Sequence, residues 1–346
     1  MTLQIAVDAN VLEADWGGIP KHVHRIVEQL VARGDRVDLL VNLRRWESPI
    51  PGANAVPLRL RGRPLWRDLA VPLWAARHKP DVLWAPETIL PRRIATPTVV
   101  TVHDLAPLLF EGSKPPQVER AFRTSVPRSV RSATRVICVS EATARDVASH
   151  WGVEGAAVIG NGVDDVFGPG EPDALGIEGP FVLHVGSLEP RKGLDVLIAA
   201  AAREPGWRLV LAGRAGHEGE RIAADARSAG AILMPDLSDE QLAGLYRAAE
   251  VAAVPSLYEG FGIVALEAMA SGTPVVVARD AGALAEVAGD AAIAVGERTP
   301  EAWTGAIAEA RERRQELVPK GLERAARYRW SEVADAVRAV LAEAAR

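Results

Sequence analysis

The sequence predicts an α/β protein made of two doubly wound units with parallel sheets. Three observations carry this expectation. Short β-branched runs alternate with helical patterns, the alternation occurs in two successive series, and a Gly/Pro-rich stretch of weak periodicity at 168–180 separates them. A chain of 346 residues is long enough for two domains with large cores.

Taken in order, the first series reads as strands at 3–7, 36–41, 81–84, 98–102, 135–139 and 157–159, with helices at 20–33, 116–132 and 140–150. The second reads as strands at 181–185, 208–212, 231–234, 251–254, 274–277 and 291–294, with helices near 193–202, 218–229, 238–249 and 262–271. The tail from 300 onward is helical. This gives an N-terminal domain at 1–170, a second domain at 171–325 and a last helix at 326–346. Ligands of such sheets bind beyond the carboxyl ends of the strands. Two units facing each other would line a cleft with their strand-to-helix loops.

Hydrophobic residues make up 48% and charged residues 25%, which places the chain among ordinary globular proteins. No apolar run reaches the ~20 residues of a membrane helix, and the N-terminus enters a strand pattern with no basic leader or cleavage site. The single cysteine, Cys138, lies in the run Val136-Ile137-Cys138-Val139, as a buried strand residue would. It allows no internal disulfide and no cysteine metal cluster, and the expected compartment is the cytoplasm.

The net charge of −5 is unevenly spread: +3 over residues 1–170 and −8 over the remainder. Two arginine groups, Arg59/Arg61/Arg63/Arg67 and Arg120/Arg123/Arg128/Arg131/Arg135, fall in the first half. They read either as solvated helix faces or as a basic patch for a phosphorylated acceptor or an anionic membrane, at the inner face of the plasma membrane. Nucleic acid is not expected, because neither overall charge nor aromatic interleaving supports it.

Several strand ends carry unusual chemistry. Asp15-Trp16-Gly17-Gly18-Ile19-Pro20 puts paired glycines just before a helix, where backbone amides approach an anion closely, although the same pattern also makes plain turns. His103-Asp104 follow a strand directly; the histidine is either a packing residue or a donor to a sugar hydroxyl or phosphate. His22 and His24 cannot share a helix face, so no metal pair is expected there. His78, His150 and His217 read as surface residues and His184 as a core strand residue. The loop from Gly186 to Gly193 contains Ser187 and the adjacent cations Arg191 and Lys192, which suit the charge of a departing diphosphate.

The most informative stretch is Glu259-Gly260-Phe261-Gly262-Ile263, continuing into a helix that contains Glu267. The unpaired amides of its first turn are a natural seat for phosphate. Dipole pairing alone would explain Glu259. Glu267, among Leu266, Ala268 and Met269, needs a partner of its own. No Gly-x-Ser-x-Gly elbow, Walker sequence or zinc-ligand spacing occurs, so hydrolase, P-loop and metalloenzyme readings lack their parts.

In order along nearly the whole chain, Gly17-Gly18-Ile19, Val102-His103-Asp104, Val139-Ser140-Glu141, Asn161-Gly162-Val163-Asp164, the Gly186–Gly193 loop, Leu211-Ala212-Gly213 and Glu259 through Pro274 resemble the retaining glycosyltransferases of family 4. The resemblance implies the GT-B fold, with a final helix crossing back to the first domain. It implies a nucleotide-sugar donor as co-substrate, with no other cofactor and no metal. Glu267 would hold the ribose hydroxyls and Glu259 the transferred sugar. Arg191 and Lys192 would neutralise the diphosphate, helped by Ser187 and by amides around Gly17, Gly18, Gly260, Phe261, Gly262 and Ile263. His103 would touch the sugar or its phosphate, and the base would lie near Gly213, Arg214 and Leu237.

The GGI and HDLAP segments resemble bacterial polysaccharide mannosyltransferases. The first expectation is therefore transfer of mannose from GDP-mannose to a glycan or lipid-linked acceptor, with UDP-sugars and dTDP-rhamnose open. Trp16, Trp66 and Trp74 are either sugar platforms or core residues. Competing readings are an epimerase or phosphorylase on the same architecture, a non-catalytic sugar-binding protein, and an inactive structural subunit.

Overall fold

A computed structural model describes residues 2–13, 17–110, 115–204 and 206–346. Two compact units emerge. The first takes the chain up to Leu108, then Pro115–Gly162 and Trp330–Arg346; the second takes Val163–Arg329 together with Leu109 and Phe110.

The first unit runs β1 (Gln4–Asp8), α1 (Gly18–Ala32), β2 (Arg36–Val41), β3 (Asn54–Pro57), α2 (Arg63–Leu65), α3 (Val71–His78), β4 (Val82–Ala85) and β5 (Thr98–Val102). It continues through α4 (Ala106–Leu109), α5 (Pro116–Ser132), β6 (Arg135–Cys138), α6 (Glu141–Trp151) and β7 (Ala157–Val158). A π-helical turn, Trp66–Ala70, joins α2 to α3. The sheet is parallel throughout, in the order β3-β2-β1-β4-β5-β6-β7. Every residue of β4 and β5 is buried, as expected of parallel strands covered on both faces.

The second unit runs β8 (Phe181–Val185), α7 (Asp195–Ala201), β9 (Arg208–Ala212), α8 (Gly219–Ser228), β10 (Ile232–Met234), α9 (Asp239–Ala248) and β11 (Val251–Val254). Then come α10 (Ile263–Ala270), β12 (Val275–Ala278), α11 (Leu284–Ala288), β13 (Ala292–Val295), α12 (Pro300–Glu312) and α13 (Arg314–Ala325). Its parallel sheet has the order β10-β9-β8-β11-β12-β13. Strand order therefore reverses between β1 and β4 in one unit and between β8 and β11 in the other. Crevices open at such reversals.

Local chemistry sets the helix starts. Ser140 caps α6 by accepting from the Thr143 amide at 3.0 Å. Ser238 and Gln241 form a reciprocal capping box on α9. Cys138 is buried in β6, where burial pushes its thiol up to about 12. Trp66 and Trp74 are core residues of the first unit, leaving neither as an open platform.

The chain leaves the first unit at Gly162–Val163, earlier than residue 170, and returns at Arg329–Trp330, later than residue 326. The reason is that 163–170 is bound down on the second unit. The Arg247 guanidinium donates to the Val166 carbonyl at 2.6 Å and the Gly168 carbonyl at 2.7 Å, and Phe167 is buried. The sequence patterns also missed β3, α4, α11 and the helical run from Arg63 to His78, whose two prolines interrupt its periodicity.

The last helix, α14 (Trp330–Ala344), belongs to the first unit and packs along α1. Its Arg338 grips the buried Asp35 carboxylate through two hydrogen bonds, 2.6 and 2.9 Å, while Asp35 also accepts from the Leu3 amide. Replacing Arg338→Ala strands that carboxylate. Urea unfolding is expected to show a loss of about 1–3 kcal/mol, only partly recovered by Arg338→Lys.

Candidate functional site

In the second unit the chemistry gathers at the β8/β11 reversal. The loop after β8 begins at Gly186 and the loop after β9 at Gly213, and the two glycines lie back to back. A Cβ on Gly213 would strike the Gly186 carbonyl, and its φ of +150° also favours glycine. Ser187 follows on the same loop, half-buried, and its amide borders the space that a Gly213 side chain would need. The loop then turns so that Lys192 is buried and Arg191 half-buried. The Leu257 amide donates to the Arg191 carbonyl at 2.8 Å, and the Arg191 guanidinium donates to the Tyr258 carbonyl at 2.8 Å. The loops after β8 and β11 thus brace each other.

Glu259 is the centre of this brace. Its carboxylate accepts from the Lys192 ammonium at 2.6 Å, the Ser256 hydroxyl at 2.6 Å and the Arg191 guanidinium at 3.3 Å. Burial alone would raise its pKa, but Lys192 and Arg191, with the Ser256 hydroxyl, outweigh that cost and hold it at about 2. Its backbone is fixed as well, by hydrogen bonds to Ala281 and Ala283. Glu189, also buried, stands 3.8 Å from the Arg191 guanidinium. The site therefore holds matched charges.

Gly260, Phe261 and Gly262 lead from Glu259 to α10, and all three are buried. Gly262 caps the helix at φ +91° and has no side chain of its own to bond the first turn, and Ile263 is the first helical residue. A Cβ at Gly262 would collide with Leu284. Glu267 is buried within α10, with the Tyr246 hydroxyl 3.5 Å from its carboxylate. Burial, reinforced by Glu267, keeps that phenol protonated. Arg214 and Leu237 lie at the ends of β9 and β10. Arg214 is exposed and pairs with Asp236 at 2.6 Å, while Leu237 is half-buried.

The remaining candidates belong to the first unit. Gly17 precedes α1 at φ +123° and Gly18 opens the helix, with open space beside its α-carbon. Asp15 and Trp16 lie outside the described residues. His103 follows β5, and a hydrogen bond from its Nε2 to the Pro86 carbonyl spans 3.0 Å. Burial, with His22 alongside, lowers its pKa to about 3, so its imidazole is neutral. His22 meets it edge-on at 4.8 Å and bonds the Asn161 side chain at 2.7 Å through Nδ1. Burial lowers His22 to about 4 despite Asn161.

Sequence reading passed over a second polar group, at the β1/β4 reversal. Buried Asp8 accepts from Asn10 at 2.7 Å and faces the Arg67 guanidinium at 3.9 Å, while Arg63 and Glu87 approach to 3.5 Å. A buried acid ending an apolar strand was the available signal. Among the described residues, no cluster of three His, Cys, Asp or Glu is placed to hold a metal ion.

Two parallel doubly wound units, each with polar groups at its strand reversal, are the architecture of the GT-B fold class. Solved structures agree on the fold. Sucrose-phosphate synthase from Thermosynechococcus elongatus superposes with a TM-score of 0.79 at 22% identity, covering 98% of each chain. Anabaena Alr3699/HepE, solved with UDP and glucose, gives 0.74 at 20% identity, covering 98% of this chain and 99% of its own.

The family model "Glycosyltransferase Family 4" matches residues 16–167, and "Glycosyl transferases group 1" matches 172–328. A D-inositol 3-phosphate glycosyltransferase of Acidothermus cellulolyticus is 31% identical over 98% of this chain and 89% of its own. One from Mycolicibacterium smegmatis is 34% identical over 71% of this chain and 61% of its own. The chain belongs to the family 4 glycosyltransferases and has their nucleotide-sugar transferase architecture.

Two expectations follow from the geometry. Burial also lowers His184 to about 4, so three histidines resist protonation that the unfolded chain accepts near 6.5. Their stabilisation is complete above about pH 6.5 and lost as pH falls toward 4, by up to about 1.4 kcal/mol per pH unit for each histidine. Urea midpoints measured across that range check the slope. Glu259 acts in a lower window, its contribution present above 4.5 and lost as pH falls through about 2. Separately, Gly213→Ala is expected to abolish nucleotide binding in calorimetry, whereas Gly18→Ala, with open space around it, keeps the fold's melting temperature.

Proposed function

We propose that the protein is a retaining, metal-independent glycosyltransferase. It moves a hexosyl group from a nucleoside diphosphate sugar held by the second unit to a hydroxyl of a phosphorylated polyol. The observation that carries this reading is the set of buried Lys192 and Glu259 with half-buried Arg191 beside the start of α10.

The two cations and the first-turn amides of α10 stabilise charge that develops on the departing diphosphate, the part a metal ion plays elsewhere. Glu259 stays ionised, so it neither donates nor takes a proton in turnover. It accepts hydrogen bonds from the sugar and holds Lys192 in place. In the step itself, the bond from the anomeric carbon to the diphosphate oxygen breaks while the acceptor oxygen bonds to the same face. The acceptor proton passes to the leaving oxygen. Neutral His103 is assigned to the sugar or its phosphate.

Glu267 is assigned to the ribose. A buried carboxylate that binds both ribose hydroxyls favours ribonucleotides over deoxyribonucleotides, which counts against dTDP-rhamnose. Mannose from GDP-mannose stands as the first donor to test, beside UDP-sugars. The names of the relatives support a phosphorylated cyclic polyol as acceptor in place of the expected glycan or lipid-linked chain. The first unit is assigned to it.

Arg191→Ala and Lys192→Ala are each expected to lower kcat tenfold or much more, about 1.4 kcal/mol at the least. An effect confined to the acceptor KM would contradict the assignment. Because Lys192→Ala also uncovers a buried acid, the pair Lys192→Met with Glu259→Gln separates stability from chemistry: melting recovers and turnover does not. Calorimetry with UDP, GDP and dTDP tests the ribose assignment. Glu267→Gln should weaken the first two more than the third. Product NMR showing an inverted anomeric centre would refute retention.

A further inference from the structure

The helical run from Arg63 to His78 is apolar on two opposite sides. Trp66, Val71, Trp74 and Ala75 face the core of the first unit. Leu65, Leu69 and Leu73, spaced by four, are 53%, 51% and 71% exposed and form a stripe on the outer side. A helix apolar all round is normally buried, and single exposed leucines rarely line up in this way. The π-helical turn at Trp66–Ala70 lies in the middle of the run, and such turns concentrate at functional positions.

Charge tells what covers the stripe. Residues 59–79 carry six Lys or Arg and one acid, Asp68. Arg59, Arg61 and Arg63 are exposed before and at the start of the run, and Arg77 and Lys79 at its end. Alongside it, Arg92, 80% exposed, pairs with Asp68 at 3.3 Å and so stands beside the leucines; Arg93 is exposed next to it. Cations around an apolar stripe would repel a second copy of the same face. They complement a surface that is anionic above and apolar beneath. We propose that this helix lies in the interface of an anionic lipid bilayer, its leucines entering below the headgroups and the arginines and Lys79 resting on lipid phosphates. Among the described residues no helix is long and apolar enough to cross a membrane. It does not depend on the identity of the donor sugar or acceptor.

Co-sedimentation of the full chain with vesicles tests this. Association is expected with phosphatidylcholine vesicles containing phosphatidylglycerol, and at least about tenfold less with phosphatidylcholine alone or at high salt. The triple variant Leu65→Ser, Leu69→Ser, Leu73→Ser should lose about tenfold or more. Arg59→Glu with Arg61→Glu should lose the preference for anionic lipid. Unchanged melting temperatures are expected, and the single Leu73→Ser serves if the triple variant melts early. Transfer to a water-soluble acceptor should keep its kcat in the leucine variants, which separates this surface from the site chemistry. The proposal is overturned if the wild-type chain ignores anionic vesicles, or if the triple variant binds them equally well. It is also overturned if transfer to the soluble acceptor collapses with the leucines, or if sedimentation shows a dimer that depends on them in place of lipid binding.

Discussion

The second unit depends on one buried carboxylate. Glu259 stays ionised at its level of burial because Lys192, Arg191 and Ser256 together offset the cost of desolvation. Those partners come from loops after different strands, so ionisation of one acid requires β8 and β11 to be in register side by side. The same requirement explains the glycines. Gly186 and Gly213 let the β8 and β9 loops close up, and Gly262 lets α10 start immediately after the acid. The two cations, Lys192 and Arg191, and the two buried acids, Glu259 and Glu189, balance one another within these loops.

Much of this was legible in the sequence, and the exceptions have physical causes. Strands such as Arg208–Ala212 and Val251–Val254 lie where their apolar runs predicted, because parallel strands buried on both faces read as continuous hydrophobic segments. Gly262 and Glu267 were visible as a helix start and an acid out of place. What sequence could not show was pairing across distance. Lys192 and Glu259 are 67 positions apart, and only the sheet order makes them neighbours.

The Arg63–His78 helix was missed for another reason. Pro64 and Pro72 sit at tolerated positions in its two segments, and leucines on the outer side erase the amphipathic period. The feature that hid the helix from pattern reading is the one that gives its surface a use. The Asp8 group was hidden differently, since its arginines come from this same unrecognised helical run.

The placement of α14 bears on how the protein is made. Val23, Ile26, Val27 and Leu30 of α1 are buried, and Val333, Val337 and Leu341 belong to the helix packed along them. Yet α14 follows the whole second unit in the chain. On a ribosome, the second unit can fold as soon as it emerges, while the first must wait for the residues that cover α1. The domain begun first is therefore the one finished last.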